Sequence, residues 1–194
     1  MPELEEEVEE LVGQYIREGF DGFKEMVERV VEYYSGEHSP AVLEPLVRTR
    51  AKAAWSKARE EQASWPVPTD CDRLDRAFAA LERSGIVARQ NFTCCQTCGH
   101  AEIGDEIAEA SKKADVVGYA FYHMQDTENA AEGNGLYIAY GALEQTEAAR
   151  QKIGWIIVEA LRTERLEVDW DGDTNKRIAV NNLLWRRRLP PGHC

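Results

Sequence analysis

Apolar side chains recur at three- and four-residue steps through the first sixty residues, the signature of helices with one buried face. Leu4, Val8, Leu11, Val12, Tyr15 and Ile16 make the first such stripe, with glutamates on the opposite face. Gly19-Phe20-Asp21-Gly22 interrupts it and leaves Asp21 placed to cap a second helix through Phe23, Met26, Val27, Val30, Val31 and Tyr34, which Gly36 ends. Ser39-Pro40 reads as an N-cap and first-turn proline, opening a third helix through Leu43, Leu46, Val47 and Trp55 to about Ala63. Pro45 falls early enough in it to be tolerated. Ser64-Trp65-Pro66-Val67-Pro68 is excluded from helix, because each proline holds the residue before it extended. The pattern therefore predicts a helical region over 1–64, a proline-rich linker over 65–68 and a mixed domain over 69–194.

Beyond the linker the period changes. Thr69-Asp70-Cys71-Asp72 starts a fourth helix with Leu74, Ala77, Phe78 and Leu81 on one face and Gly85 as its stop. Ile86–Phe92 reads as a short strand, followed by a cysteine-rich turn and a helix from about Glu102 to Lys113. Val116–His123 and Gly135–Gly141 are rich in β-branched and aromatic residues and predict two further strands, with a short acidic helix from Asp126 to Glu132 between them. A long helix from Glu144 to Thr163 buries Ile153, Ile156, Ile157, Ala160 and Leu161. The extended runs Leu166–Trp170 and Arg177–Val180 flank Asp171-Gly172, a hairpin signal. These elements predict an α+β, or mixed α/β, fold: a sheet of about five strands with flanking helices, a helical N-terminal arm and a C-terminal β-hairpin.

Charge alters this picture at one place. The 194 residues (22.0 kDa) are 43% hydrophobic and 30% charged, with a formal net charge of −12. Residues 1–35 hold eleven acids against three bases, so two thirds of the net charge belongs to the first two helices as a solvated face. Early glutamates also suit the helix dipole. This balance argues against nucleic acid or an anionic membrane as the main partner, and more weakly so for the mildly acidic body. A basic protein partner would meet the N-terminal arm, and its aromatic-bearing helices suit a dimer as readily as an intramolecular dock. The N-terminus lacks the basic and apolar regions of a signal peptide, and no apolar run spans a bilayer, so a cytoplasmic protein with reduced thiols is expected.

Candidate chemistry centres on Cys94-Cys95-Gln96-Thr97-Cys98-Gly99-His100, three thiols and an imidazole in seven residues. These are zinc-ligand types, and Cys95 and Cys98 have the spacing that lets one turn aim two sulfurs at one ion. The candidate metal set is Cys95, Cys98, His100 and His123, with Cys94 as an alternative ligand; His123 would approach from the end of the next strand in a parallel arrangement. One Cys-x-x-Cys pair supplies only half a tetrahedral site, so two other readings stay open: a redox pair at a helix start, and buried structural thiols. The redox placement resembles that of thioredoxin, but no proline occurs between Pro68 and Pro190 to face the cysteines. His123 with Asp126 could also form a general base with an orienting carboxylate, although a structural histidine is the commoner case. Glu132-Gly133-Asn134-Gly135 lacks the lysine and following helix of a phosphate loop, and Asp169–Asp173 has its glycine one position early for a calcium loop. Arg186-Arg187-Arg188 suits an anion or the acidic N-terminal helix.

Several strings, Thr69–Asp75, Leu81–Ala88, Phe92–Gly99, His123 with Gln125-Asp126, Gly135-Leu136-Tyr137 and Val168–Gly172, together resemble a bacterial family known only as a domain of unknown function. The resemblance runs from the second or third helix to Arg188 and implies no reaction, ligand or catalytic residue. Two expectations follow from the residues themselves. The first is a non-catalytic binding or regulatory protein, of the immunity type if its partner is basic. The alternative is a metal- or thiol-dependent enzyme built on Cys94–Cys98, His100 and His123.

Overall fold

In a computed structural model of the chain, which describes residues 2–191, the apolar stripes of the N-terminal region close on one another. Helices α1 (Pro2–Glu18), α2 (Phe23–Tyr34) and α3 (Pro40–Gln62) form a first unit around Val8, Val12, Met26, Val30, Leu43, Val47 and Trp55. Residues 186–191 belong to this unit, not to the second as the sequence pattern suggests, and the split between units falls after Val67. The reason is Leu189, which is buried in the three-helix core and whose N–H donates to Gln62 Oε1 at 3.0 Å. The basic run is used in the same docking: the Arg187 guanidinium lies 4.2 Å from the Phe20 ring centroid and Arg188 donates to the Pro66 carbonyl at 2.9 Å. Gly19, at φ +76°, lets the Arg187 backbone approach; a Cβ there would stand 2.8 Å from the Arg187 carbonyl oxygen.

Asp21 does not cap α2. The N-cap is Gly22, without a side-chain hydrogen bond, and Asp21 pairs instead with Arg29, whose guanidinium sits 4.3 Å from the Tyr15 ring centroid. The acidic face of α1 is partly answered within the unit, since Arg50 of α3 bridges Glu5 and Glu9.

Residues 68–185 form the second unit. Its elements are α4 (Asp70–Arg83), β1 (Ile86–Arg89), α5 (Gln96–Ala110), β2 (Gly118–Phe121), α6 (Met124–Ala131), β3 (Leu136–Ala142), α7 (Glu147–Thr163), β4 (Glu167–Asp169) and β5 (Ile178–Asn181). The five strands make one sheet in the order β1-β2-β3-β5-β4, with β1 and β2 parallel and the remaining pairs antiparallel, so the expected α+β class and C-terminal hairpin hold. The hairpin is wider than a two-residue turn: Asp169 pairs with Ala179, leaving 170–177 as its loop. Helices α4 and α7 pack on each other and on one face of the sheet. On the other face α5 places Ile103 against Val87, Phe121 and Ala139. Because β1 and β2 are parallel, α5 is the crossover between them, and its first turn lies near the end of the sheet where both strands finish.

Candidate thiol centre and its surroundings

The helix predicted from Glu102 begins at Gln96, with Cys95 as its N-cap. The cysteines therefore occupy the N-terminal turn of α5 and not a separate loop. Gly99 lets the helix start here: a methyl at this position would clash with Cε2 and Cζ of the Phe121 ring, so the absent side chain lets the first turn sit directly on β2. That packing turns Cys94, Cys95 and Cys98 outward together. Their sulfurs all lie within 4.8 Å of one another, with Cys94 Sγ 3.4 Å from Cys98 Sγ. Cys94 is exposed and the other two are half-buried.

The three thiols are not equivalent. The Cys98 backbone N–H, pointing back toward the helix start, holds the Cys95 thiol below its ordinary range, and the neighbouring thiols add to the effect. Cys98 moves the opposite way, pushed up to about 12 by Cys94 and Cys95 beside it. One thiolate on Cys95 is thus favoured at the helix start and a second on Cys98 is opposed, unless a cation joins the cluster. Sulfurs bound to zinc at about 2.3 Å around a tetrahedral centre stand about 3.8 Å apart, within the 4.8 Å that bounds this trio. Cys71 is buried in α4, and Cys194 lies outside the described residues.

Neither candidate histidine joins the thiols. His100 turns onto the sheet, with its ring 5.2 Å from that of Phe121 and Nδ1 3.5 Å from the Tyr119 hydroxyl. Burial, with Arg177 second, lowers its imidazole from the ordinary range. His123 does follow the strand parallel to β1, and the loop before α5 runs beside it: Phe92 N–H donates to Tyr122 O at 2.8 Å and Met124 N–H to Thr93 O at 3.0 Å. Its ring, however, is buried as the N-cap of α6. The Asp126 N–H donates to His123 Nδ1 at 3.3 Å and His123 N–H to Asp126 Oδ2 at 3.2 Å, a capping box in which the imidazole takes the role usually played by a hydroxyl. Nε2 lies 3.0 Å from Asp126 Oδ2. With Nδ1 accepting, the hydrogen-bond pattern assigns the proton to Nε2 and makes the ring neutral. Burial lowers the imidazole, opposed by Asp126 and assisted by Arg177, whose Nη1 reaches both Asp126 oxygens at 3.0 Å. The pairing that could have served a general base is a buried structural unit.

A pocket of about 340 Å³ opens on the other side of the α5 start, where Gln96 and His100 meet β3, Arg150 of α7 and the β4–β5 loop. Its residues come from five places in the chain with no shared spacing, so no motif announces them. The acidic run Asp169–Asp173 turns out to serve the loop itself, with Lys176 held by Asp171 at 2.6 Å and the Trp170 indole N–H donating to the Asp173 carbonyl at 3.2 Å. Gly133 and Gly135, at φ +87° and +80°, form the expected turn into β3.

Fold and site together define an α+β protein with an outward-facing cluster of three thiols on a helix N-terminus. The chain belongs to the family described as a domain of unknown function (DUF6891), whose profile matches residues 1–189. No curated protein and no solved structure matches it. Among the described residues, no helix is long and apolar enough to cross a membrane.

Proposed function

We propose that this is a bacterial cytoplasmic binding or regulatory protein in which Cys94, Cys95 and Cys98 hold one zinc ion, with the fourth coordination position left to water or an exogenous ligand. The convergence of three sulfurs within 4.8 Å carries this reading. Thiolates favour zinc among the common divalent ions, and a cation would favour the Cys98 thiolate, which hydrogen bonding with Cys94 and Cys95 and then their charge oppose. A binding role is preferred to catalysis because both nearby imidazoles are engaged elsewhere, one in the α6 cap and one on the aromatic face of the sheet. The acidic face of α1 supports a basic protein partner, in the manner of an immunity protein, with Glu6, Glu7 and Glu10 left exposed.

Metal analysis of protein purified without an affinity tag or chelator tests the site. One equivalent of zinc, lost in Cys95→Ala/Cys98→Ala, is the expected result. Protein that takes up no zinc while all three thiols titrate as ordinary free cysteines would overturn it.

A thiol-dependent enzyme is the second reading, favoured by the 3.4 Å approach of Cys94 Sγ to Cys98 Sγ. It predicts that mild oxidation with diamide closes a disulfide within Cys94–Cys98, seen as a two-hydrogen mass loss in that peptide, and that glutathione reopens it. Persistence of three free thiols under those conditions would dismiss it.

A further inference from the structure

Helix α7 buries one side against the sheet and α4 and leaves the other without a partner. Ile153, Ile157 and Leu161 point inward, whereas Trp155, Ile156 and Ala160 line an open groove of about 810 Å³ together with Ala80 and Leu81 of α4. Of the five tryptophans in the chain Trp155 alone is exposed, at 46%. Its indole is nevertheless held in place. The buried Trp170 ring meets it in a T-shaped contact, with 5.0 Å between centroids and 70° between planes. An aromatic already oriented beside an apolar floor gives up little freedom on association.

The charges around this groove follow a pattern of their own. Lys152 and Glu159 line it, and both are exposed. They lie two helical turns, about 10 Å, apart along α7, too far to pair with each other. Neither has an ion-pair partner among the described residues. Glu164, the third charge in the groove, is already held by Arg76 at 2.7 Å. Lys152 and Glu159 are equally distant from the midpoint between Trp155 and Ile156. A two-fold axis crossing α7 at that midpoint sets positions before it level with positions the same distance after it in an antiparallel second copy. Lys152 then faces Glu159 of the second copy and Glu159 faces Lys152, while Trp155 lies level with Ile156. Towards the ends Ala148 meets Thr163, small side chains that permit close approach. A parallel arrangement would instead oppose lysine to lysine and glutamate to glutamate.

We propose that this face binds a second copy of the chain, forming a two-fold dimer in which antiparallel α7 helices place Trp155 of each copy in the α4–α7 groove of the other. The face is self-complementary in charge, with two Lys–Glu pairs flanking an apolar centre, and that complementarity selects this occupant. Two helices, each about 10 Å wide over a length of about 23 Å, offer a footprint of order 450 Å² per copy. Such an area is at the small end for a specific interface, so a reversible dimer with a micromolar Kd is expected, not a permanent one. The contact uses none of the thiols and is independent of any metal they hold.

Sedimentation velocity of the full-length protein from about 1 to 200 µM, a range that brackets a micromolar Kd, tests the proposal. Reducing agent and EDTA in the buffer keep disulfides and thiol-bound metal from linking the copies. A monomer–dimer equilibrium is expected. Lys152→Glu and Glu159→Lys each create two like-charge contacts and should raise the Kd at least about tenfold, with the Tm of the dilute protein unchanged because both side chains are exposed. Mixing the two single variants should restore association, since their heterodimer again sets glutamate against lysine at both places. The double variant Lys152→Glu/Glu159→Lys should regain the wild-type Kd for the same reason. A monomer at every concentration would overturn the proposal. So would a dimer that neither single variant weakens, or weakened variants that fail to associate on mixing.

Discussion

At the scale of single residues, His123 shows how one side chain can satisfy the spacing of a catalytic pair and yet be structural. Burial lowers its imidazole, so the unfolded chain binds the proton more readily than the native one. Stability from this group is therefore complete above about pH 6.5 and is lost as the pH falls through the lower native value. His100, lowered for the same reason, adds with the same sign. His123→Asn keeps an N-cap without the titration, so its Tm should fall less than the wild type's between pH 7.5 and 5.5; equal falls would assign the pH dependence to other groups. Gly99 is the second decisive residue. Phe121 is fully buried, so Gly99→Ala cannot be absorbed by moving the ring freely and should cost about 1–3 kcal/mol in urea unfolding. It should also weaken zinc binding by shifting the turn that carries Cys98. The His–x–x–Asp spacing was legible in the sequence; the ion pair that holds its aspartate was not, because it comes from Arg177, fifty-one positions beyond Asp126.

At the scale of elements, those with local signals were read well and those ordered by packing were not. Helix α4 has both halves of its capping box in the sequence, and the structure makes both bonds: Asp72 N–H donates to Thr69 Oγ1 at 3.1 Å and Thr69 N–H to Asp72 Oδ2 at 2.8 Å. Thr69→Ala should accordingly cost about 1 kcal/mol, measured as a lower urea midpoint with unchanged slope. Loss of nothing measurable would mean that packing of Leu74, Phe78 and Leu81 alone holds the helix. The start of α5 had no comparable local signal. Gln96-Thr97-Cys98-Gly99-His100 contains weak helix formers, and what makes it helical is contact of Gly99 with a strand more than twenty residues later. The same limitation applies to β5, whose short pairing with β3 is set by an eight-residue loop that the Asp-Gly signal disguised as a tight turn.

At the scale of the whole molecule, the chain leaves the first unit after Val67 and returns to it at Arg186, so the linker is not the only covalent or packed tie that each unit has to the other's chain. The proline-rich break was visible in the sequence because proline acts locally. The return was not, since Leu189 is one leucine after three arginines and only the three-helix core gives it a place. This arrangement makes a specific prediction. Val67 is 85% exposed, so a site-specific protease sequence inserted there should be cut in the native protein. The C-terminal fragment carries the segment that docks into the first unit, by Leu189 in the core, its N–H on Gln62 and Arg187 on Phe20. The two fragments should therefore elute together in native gel filtration and separate only when denaturant undocks the tail. Leu189→Ala removes a buried side chain worth about 2–5 kcal/mol and should bring that separation to lower urea. Fragments that part immediately on cutting would show that the tail does not hold the first unit. Fragments whose separation is insensitive to Leu189→Ala would place the tie elsewhere.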